Sequence, residues 1–260
     1  MKLQTKKSII SDLERLGVKK GMTLIVHSSL KSLGEVVGGA VSVILALEET
    51  VGVEGNLVMP TQTEHLCEPT ENNENLSTEE IKIIKDNLPI YYPDLTPTSY
   101  MGIIPETFRK QNGVLRSSHP HVSFSAWGKD AKLIIGNHGL NYALNENSPL
   151  GKIYDLEGYI LLLGAPTNSN TSLHLAEYSQ KNTYIKSKVW EVKLSMEGKE
   201  QWSTYNDINN ESDDFDQIFD EFNSSTQFVK KGFVGEAESF LIPQKDIVDF
   251  SVDWMNKNRK

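Results

Sequence analysis

The run Asn170-Thr171-Ser172-Leu173-His174-Leu175-Ala176-Glu177 carries the clearest proton-transfer chemistry in the sequence. If it is helical, His174 and Glu177 stand three positions apart on adjoining parts of one face. An imidazole beside a carboxylate serves as a general base near neutral pH. Ser172 has the side chain of an N-cap and predicts a helix start at that point. A lone histidine near a helix start is more often capped or packed, so the pair by itself does not define an activity.

Two further segments gather polar groups. His27-Ser28-Ser29-Leu30-Lys31-Ser32-Leu33-Gly34 follows an apolar run, and Gly38-Gly39 opens the next helical pattern. Backbone N–H groups and hydroxyls in a strand-to-helix loop can meet phosphate or a developing oxyanion. The spacing is not that of a Walker loop or a dinucleotide fingerprint, and an ordinary turn reads the loop equally well. Arg116-Ser117-Ser118-His119-Pro120-His121-Val122-Ser123-Phe124 crowds a guanidinium, hydroxyls and imidazoles into one stretch. Arginine pairs with phosphate, and small hydroxyls satisfy amide or phosphate oxygens. The competing reading is a surface turn ahead of a strand. Ser148-Pro149-Leu150-Gly151 reads as a loop able to approach an extended ligand.

Alternating strands and helices must hold these segments. Apolar spacing predicts helices over 6–16, 40–51, 102–109, 130–136, 173–180, 213–222 and 244–254, with Gly17 closing the first. Short apolar runs predict strands over 23–26, 56–59, 123–127 and 159–163. Uninterrupted apolar strands suit a sheet covered by helices on both faces, an α/β class. Residues 68–80 are polar and acidic and read as a solvated insertion. Residues 186–205 alternate about Gly198 and predict an added β-hairpin.

The chain has 260 residues and a formal charge of −9, from 35 acidic and 26 basic side chains. Such a balance disfavours nucleic acid as a partner and suits a cationic ligand. The single cysteine, Cys67, excludes an internal disulfide and a thiolate metal cluster. The stretch after Met1 lacks the apolar length of a signal peptide or membrane span, so a cytoplasmic protein without membrane partners is expected. One domain over 1–260, with insertions near 66–95 and 186–206, accounts for the length.

Taken together and in order, His27 to Gly34 with Gly38-Gly39, Met59-Pro60-Thr61, Thr96-Pro97-Thr98 with Met101-Gly102, Arg116 to Phe124, Ser148 to Gly151 and Asn170 to Glu177 resemble the aminoglycoside N3-acetyltransferases, in particular their bacillus-type branch. The resemblance implies the antibiotic N-acetyltransferase fold, a central mixed sheet flanked by helices, distinct from the small pyrophosphate-loop acetyltransferase fold. It also implies acetyl-coenzyme A as donor and no metal. On matching positions, His27, Ser28, Ser29, Leu30, Lys31 and Ser32 would hold the coenzyme, with Arg116, Ser117, His119, Ser123 and Phe124. Ser148, Pro149, Leu150 and Gly151 would lie beside its pantetheine arm. His174 would be the base, with Glu177 or Asp207 orienting it.

A polycationic acceptor makes Asp94, Glu106, Asp207, Asp213 and Asp214 candidates for the acceptor site, although solvation explains most surface acids equally well. The sequence departs from the family after Asp207, where Ile208, Asn209 and Asn210 precede Glu211 in place of further acids, and Phe219 stands where glycine is usual. Two rivals remain: a serine hydrolase, which lacks its Gly-x-Ser-x-Gly elbow here, and a coenzyme-A-binding protein without transfer activity. The sequence leaves oligomeric state open, a homodimer included.

Overall fold

In a strand, successive side chains point to opposite faces, so a strand apolar throughout needs a core on each side. The structure, a computed structural model describing residues 3–69, 75–181 and 186–259, has this arrangement. Its strands are β1 (Thr23–Ser28), β2 (Asn56–Pro60), β3 (Leu115–Arg116), β4 (Phe124–Gly128), β5 (Tyr159–Leu163), β6 (Ser187–Met196), β7 (Lys199–Ile208), β8 (Lys230–Val234) and β9 (Ala237–Pro243). A seven-stranded sheet runs in the order β3-β4-β2-β1-β5-β9-β8. β1 is parallel to β2 and β5, and the other pairings are antiparallel, which makes the sheet mixed.

Alternation divides the interior. Ile25, Val58, Ile160, Leu162 and Ile242 face one core, while Leu24, Val26, Leu57, Leu161 and Leu163 face the other. The second core is closed by α1 (Lys6–Leu16) and α2 (Gly39–Val51), through Ile9, Leu13, Val43 and Leu47. Each such fully buried aliphatic side chain contributes roughly 1.5–3 kcal/mol. α1 begins in a reciprocal Thr5–Ser8 capping box and stops at Gly17, whose φ of 108° is left-handed.

The remaining helices are α3 (Thr78–Asn87), α4 (Ile103–Phe108), α5 (Ala131–Ile135), α6 (Pro149–Asp155), α7 (Leu173–Ser179), α8 (Phe215–Ser225) and α9 (Gln244–Asn258). Of these, α5 to α9 cover the first core with Ile134, Ile153, Ala176, Phe222 and Met255.

The structure differs from the sequence-based expectations in places. The insertion near 66–95 holds α3, which starts at the end of the acidic 68–80 stretch in a Ser77–Glu80 capping box; residues 70–74 of that stretch lie outside the described residues. Ser148 to Gly151 is the N-cap and first turn of α6, with Pro149 in the first turn, where its missing N–H costs nothing. β8 and β9 had no prediction. The hairpin β6–β7 forms about Glu197 and Gly198, with φ of 51° and 77°, the left-handed pair that a two-residue type I′ turn requires.

Candidate active site

Ligands of open α/β sheets bind beyond the carboxyl ends of the parallel strands. β1 and β5 end side by side, with Ser28 paired to Leu163, and their following loops frame a cavity of about 220 Å³. His27, Ser28 and Ser29 line one side of it, Ala165, Pro166 and Thr171 another, and Tyr100 with Met101 a third. Two buried polar atoms here, Nε2 of His27 and Oγ of Ser28, have no hydrogen-bond partner among the described residues. Burial, assisted by nearby His174, lowers the His27 pKa to about 4, so this ring is neutral at ordinary pH. Tyr100 is 91% exposed at a φ of 57°, an unfavourable backbone conformation for a bulky residue, here presented at the cavity rim.

One turn beyond Thr171, His174 lines a second cavity, a cleft of about 270 Å³. Its Nδ1 lies 2.6 Å from Oε2 of Glu177. A carboxylate only accepts, so Nδ1 carries the hydrogen, and in the neutral ring the lone pair lies on Nε2. Glu177 is buried, and its other oxygen accepts from Arg259 at 2.6 Å and from the Glu211 N–H at 3.0 Å. Ser172 does not cap α7 through its side chain; Oγ accepts from Gln244, and Asn170 Oδ1 accepts the Ser172 N–H.

The hairpin supplies the cleft's opposite wall. Lys188 and Trp190 on β6 stand directly across from Asp207 and Tyr205 on β7, and all four line the cleft with Glu64 and His121. The Lys188 ammonium lies 3.6 Å from the Trp190 ring centroid. His121 Nδ1 is 2.7 Å from the Tyr205 hydroxyl; burial, then the Lys188 charge, lowers its pKa to about 4. Asp207 accepts from the Ala143 and Ile208 N–H groups and from Tyr178, so it braces the cleft while Glu177 is the carboxylate on His174.

Several residues singled out in the sequence lie away from these two cavities. Arg116 directs four of its five N–H groups to the Thr61, Pro93 and Thr96 carbonyls and Ser123 Oγ, which locks neighbouring loops and leaves little for a phosphate. Ser117 binds His138, His119 binds the Leu140 carbonyl and two N–H groups, and Ser123 and Phe124 are fully buried. Ser148 to Gly151 are also buried, and a Cβ at Gly151 would meet the Glu146 carbonyl at 2.0 Å, so that glycine answers to packing.

Leu30 packs on the core, Lys31 is exposed, and Ser32 with Ser29 borders an open groove next to the donor cavity. Asp94 and Asp213 are exposed outside the cleft, Glu106 pairs with Arg109 and Lys110, and Asp214 pairs with Arg259. The sequence reading missed Trp190, Lys188, Tyr100 and Arg259. Alternation along the hairpin could have found the first two.

A mixed α/β sheet with a His–Glu pair on the turn between two cavities suits group-transfer chemistry. A family model described as "Aminoglycoside 3-N-acetyltransferase" matches residues 25–256, and the chain belongs to that family, acyltransferases acting on amino groups with acetyl-coenzyme A as co-substrate. It is 43% identical over 257 residues to the SPbeta prophage-derived aminoglycoside N(3')-acetyltransferase-like protein YokD of Bacillus subtilis (strain 168), covering 98% of this chain and 93% of that one. The YokD crystal structure superposes with a TM-score of 0.95 at 42% identity, covering 99% of this chain and 95% of that one. AAC-IIIb in a binary complex with CoASH gives 0.88 at 28% identity, over 99% and 98% of the two chains. Sisomicin-bound AAC-VIa gives 0.89 at 27%, over the whole of both.

Proposed function

We propose that the chain transfers acetyl from acetyl-coenzyme A to a primary amine, the 3-amino group of a 2-deoxystreptamine aminoglycoside, with His174 as general base. The observation that carries this reading is the His174–Glu177 pair, joined through Nδ1 and so leaving Nε2 free of that contact, on the turn between the two cavities. Acetyl-coenzyme A supplies an activated thioester carbonyl. The donor cavity suits it, because Nε2 of His27 and Oγ of Ser28 are buried polar atoms awaiting partners.

The acceptor amine forms the new C–N bond as the C–S bond breaks, and its proton passes to Nε2 of His174. The imidazolium, held by Glu177, then returns that proton to the departing thiolate or to water. Polar donors at His27 and Ser28 stabilise the charge developing on the carbonyl oxygen, a contribution of roughly 3 kcal/mol per well-placed donor in other enzymes. Glu64 and Asp207 attract a cationic acceptor, and the edges of Trp190 and Tyr205 give a sugar ring an apolar wall. A cytoplasmic location fits this chemistry; among the described residues no helix is long and apolar enough to cross a membrane.

A second reading, an amino sugar or amine metabolite outside the antibiotics, draws support from the Lys188 ammonium in the same cleft. Free-thiol release measured over a panel of aminoglycosides and simple amines separates the two. Release with at least one aminoglycoside is expected. Release with monoamines alone would retain acetyl transfer and discard antibiotic modification. Coenzyme A binding without release for any amine would defeat both.

A further inference from the structure

We propose that Arg259 is a positioning residue for the reaction, one guanidinium fixing both the carboxylate that orients the base and the wall of the acceptor cleft. This rests on His174 being the base. Arg259 follows α9, is 4% exposed, and lies outside the 25–256 stretch matched by the family. Nη1 donates to Oε1 of Glu177 at 2.6 Å. Nε and Nη2 grip both oxygens of Asp214 at 2.7 and 2.6 Å, and Nη2 also donates to the Glu211 carbonyl at 2.9 Å.

These contacts close a ring. The Glu211 N–H returns to Oε1 of Glu177, so that oxygen holds Arg259 and Glu211 while the other holds His174. Asn209, Asn210 and Ser212, flanking Glu211, line the cleft. A single rigid fork therefore sets the Glu177 rotamer, hence the imidazole plane, and the place of the 209–214 segment against which an acceptor rests. A planar, bidentate guanidinium does this; an ammonium matches its charge and not its geometry. Burial opposes the Arg259 charge, but the Asp214 and Glu177 carboxylates outweigh it and hold its pKa above the usual arginine value.

Arg259 also sets how strongly Glu177 acts on the base. With the guanidinium present, the charge of Glu177 is shared. Without it, the full carboxylate faces His174 and favours the imidazolium. The other titratable groups around His174 are His27 from β1 and, within the cleft, Glu64, His121, Lys188 and Asp207. Asp214 stands behind Arg259 and would add to the uncompensated negative charge.

The test follows the His174 ring by NMR in the full chain without acceptor, its signal identified by its loss in His174→Gln. Arg259→Ala should move the titration of the His174 ring signal to higher pH. It should also lower kcat by about tenfold or more and raise the acceptor KM, since misplacement of reacting groups costs rate. Arg259→Lys should keep the parent titration and still lose kcat. A folded Arg259→Ala protein with the parent's titration and kinetics would overturn the proposal. If the alanine variant does not fold, parent-level kcat and KM in Arg259→Lys would do so. A parent protein that acetylates no amine would defeat the functional reading instead, and the titration would still decide the link between Arg259 and His174.

Discussion

Tyr178 donates its phenolic hydrogen to Oδ1 of Asp207 at 2.6 Å, joining the helix that carries the base to the last turn of the hairpin strand. Burial, then the Asp207 charge, pushes the Tyr178 phenol well above its ordinary pKa, so it stays a donor throughout the useful pH range. Asp207→Asn would turn one accepting oxygen into an NH₂ facing an N–H or O–H. Leaving such a group unsatisfied costs about 1–3 kcal/mol. The expected outcome is a lower melting temperature and a raised acceptor KM, with coenzyme A affinity unchanged. Parent stability in that variant would contradict the bracing role.

His174→Ala should lower turnover by about two to four powers of ten, the usual reach of a general base. Coenzyme A should bind as before, because the residue lines the acceptor cleft and not the donor cavity. Calorimetry beside a thiol-release assay checks both statements, and parent-rate turnover would rule out this base.

Arg116 and Tyr100 give opposite expectations for the donor. Arg116→Ala removes the donor to the Pro93 and Thr96 carbonyls and one of two donors to the Thr61 carbonyl, so stability falls while coenzyme A affinity holds. Tyr100→Ala removes an exposed ring from the cavity rim and relieves a left-handed residue of its bulk, so affinity falls with little change in stability. Isothermal titration of both variants decides between these roles, and a reversed pattern would restore the phosphate reading of Arg116.

Acid should destabilise the fold through its buried imidazoles. Burial lowers His27, His121 and His138 from 6.5 to about 4 and takes His119 well below its usual value. Between those values the unfolded chain binds more protons than the folded one, so stability rises with pH and is lost as pH falls from about 6.5 towards 4. Urea midpoints at about pH 7 and pH 5 test this. His138→Gln should flatten the dependence, and equal midpoints would contradict it.

What was legible in the sequence follows from which forces are local. The apolar runs at 23–26, 56–59 and 159–163 were readable because a doubly covered strand writes its burial into consecutive residues. The His174–Glu177 pair was readable because helical spacing brings the two side chains together. Arg116 was read from its chemistry as a phosphate partner, and only the fold shows the carbonyls of distant loops converging on it. Arg259 lies 82 positions from Glu177, and no periodicity joins them. β8, Lys-Lys-Gly-Phe-Val, is an edge strand whose two lysines suit solvent and hide its pairing.

Period-two alternation sets Lys188 and Trp190 against Asp207 and Tyr205 on one face of a hairpin, and all four line the cleft beside His174. The intervening Val189 faces solvent and is 60% exposed. Among the described residues neither strand of the hairpin pairs with the main sheet, whose β1 leads into the Ser28–Ser32 loop. Such a tile can change in size and charge by paired exchanges across the two strands while the thioester chemistry stays as it is. Because Asp207 in that tile is also bonded to Tyr178 on the helix of His174, exchanges at Lys188 and Trp190 are expected to alter acceptor range most freely, whereas a change at Asp207 reaches that helix as well.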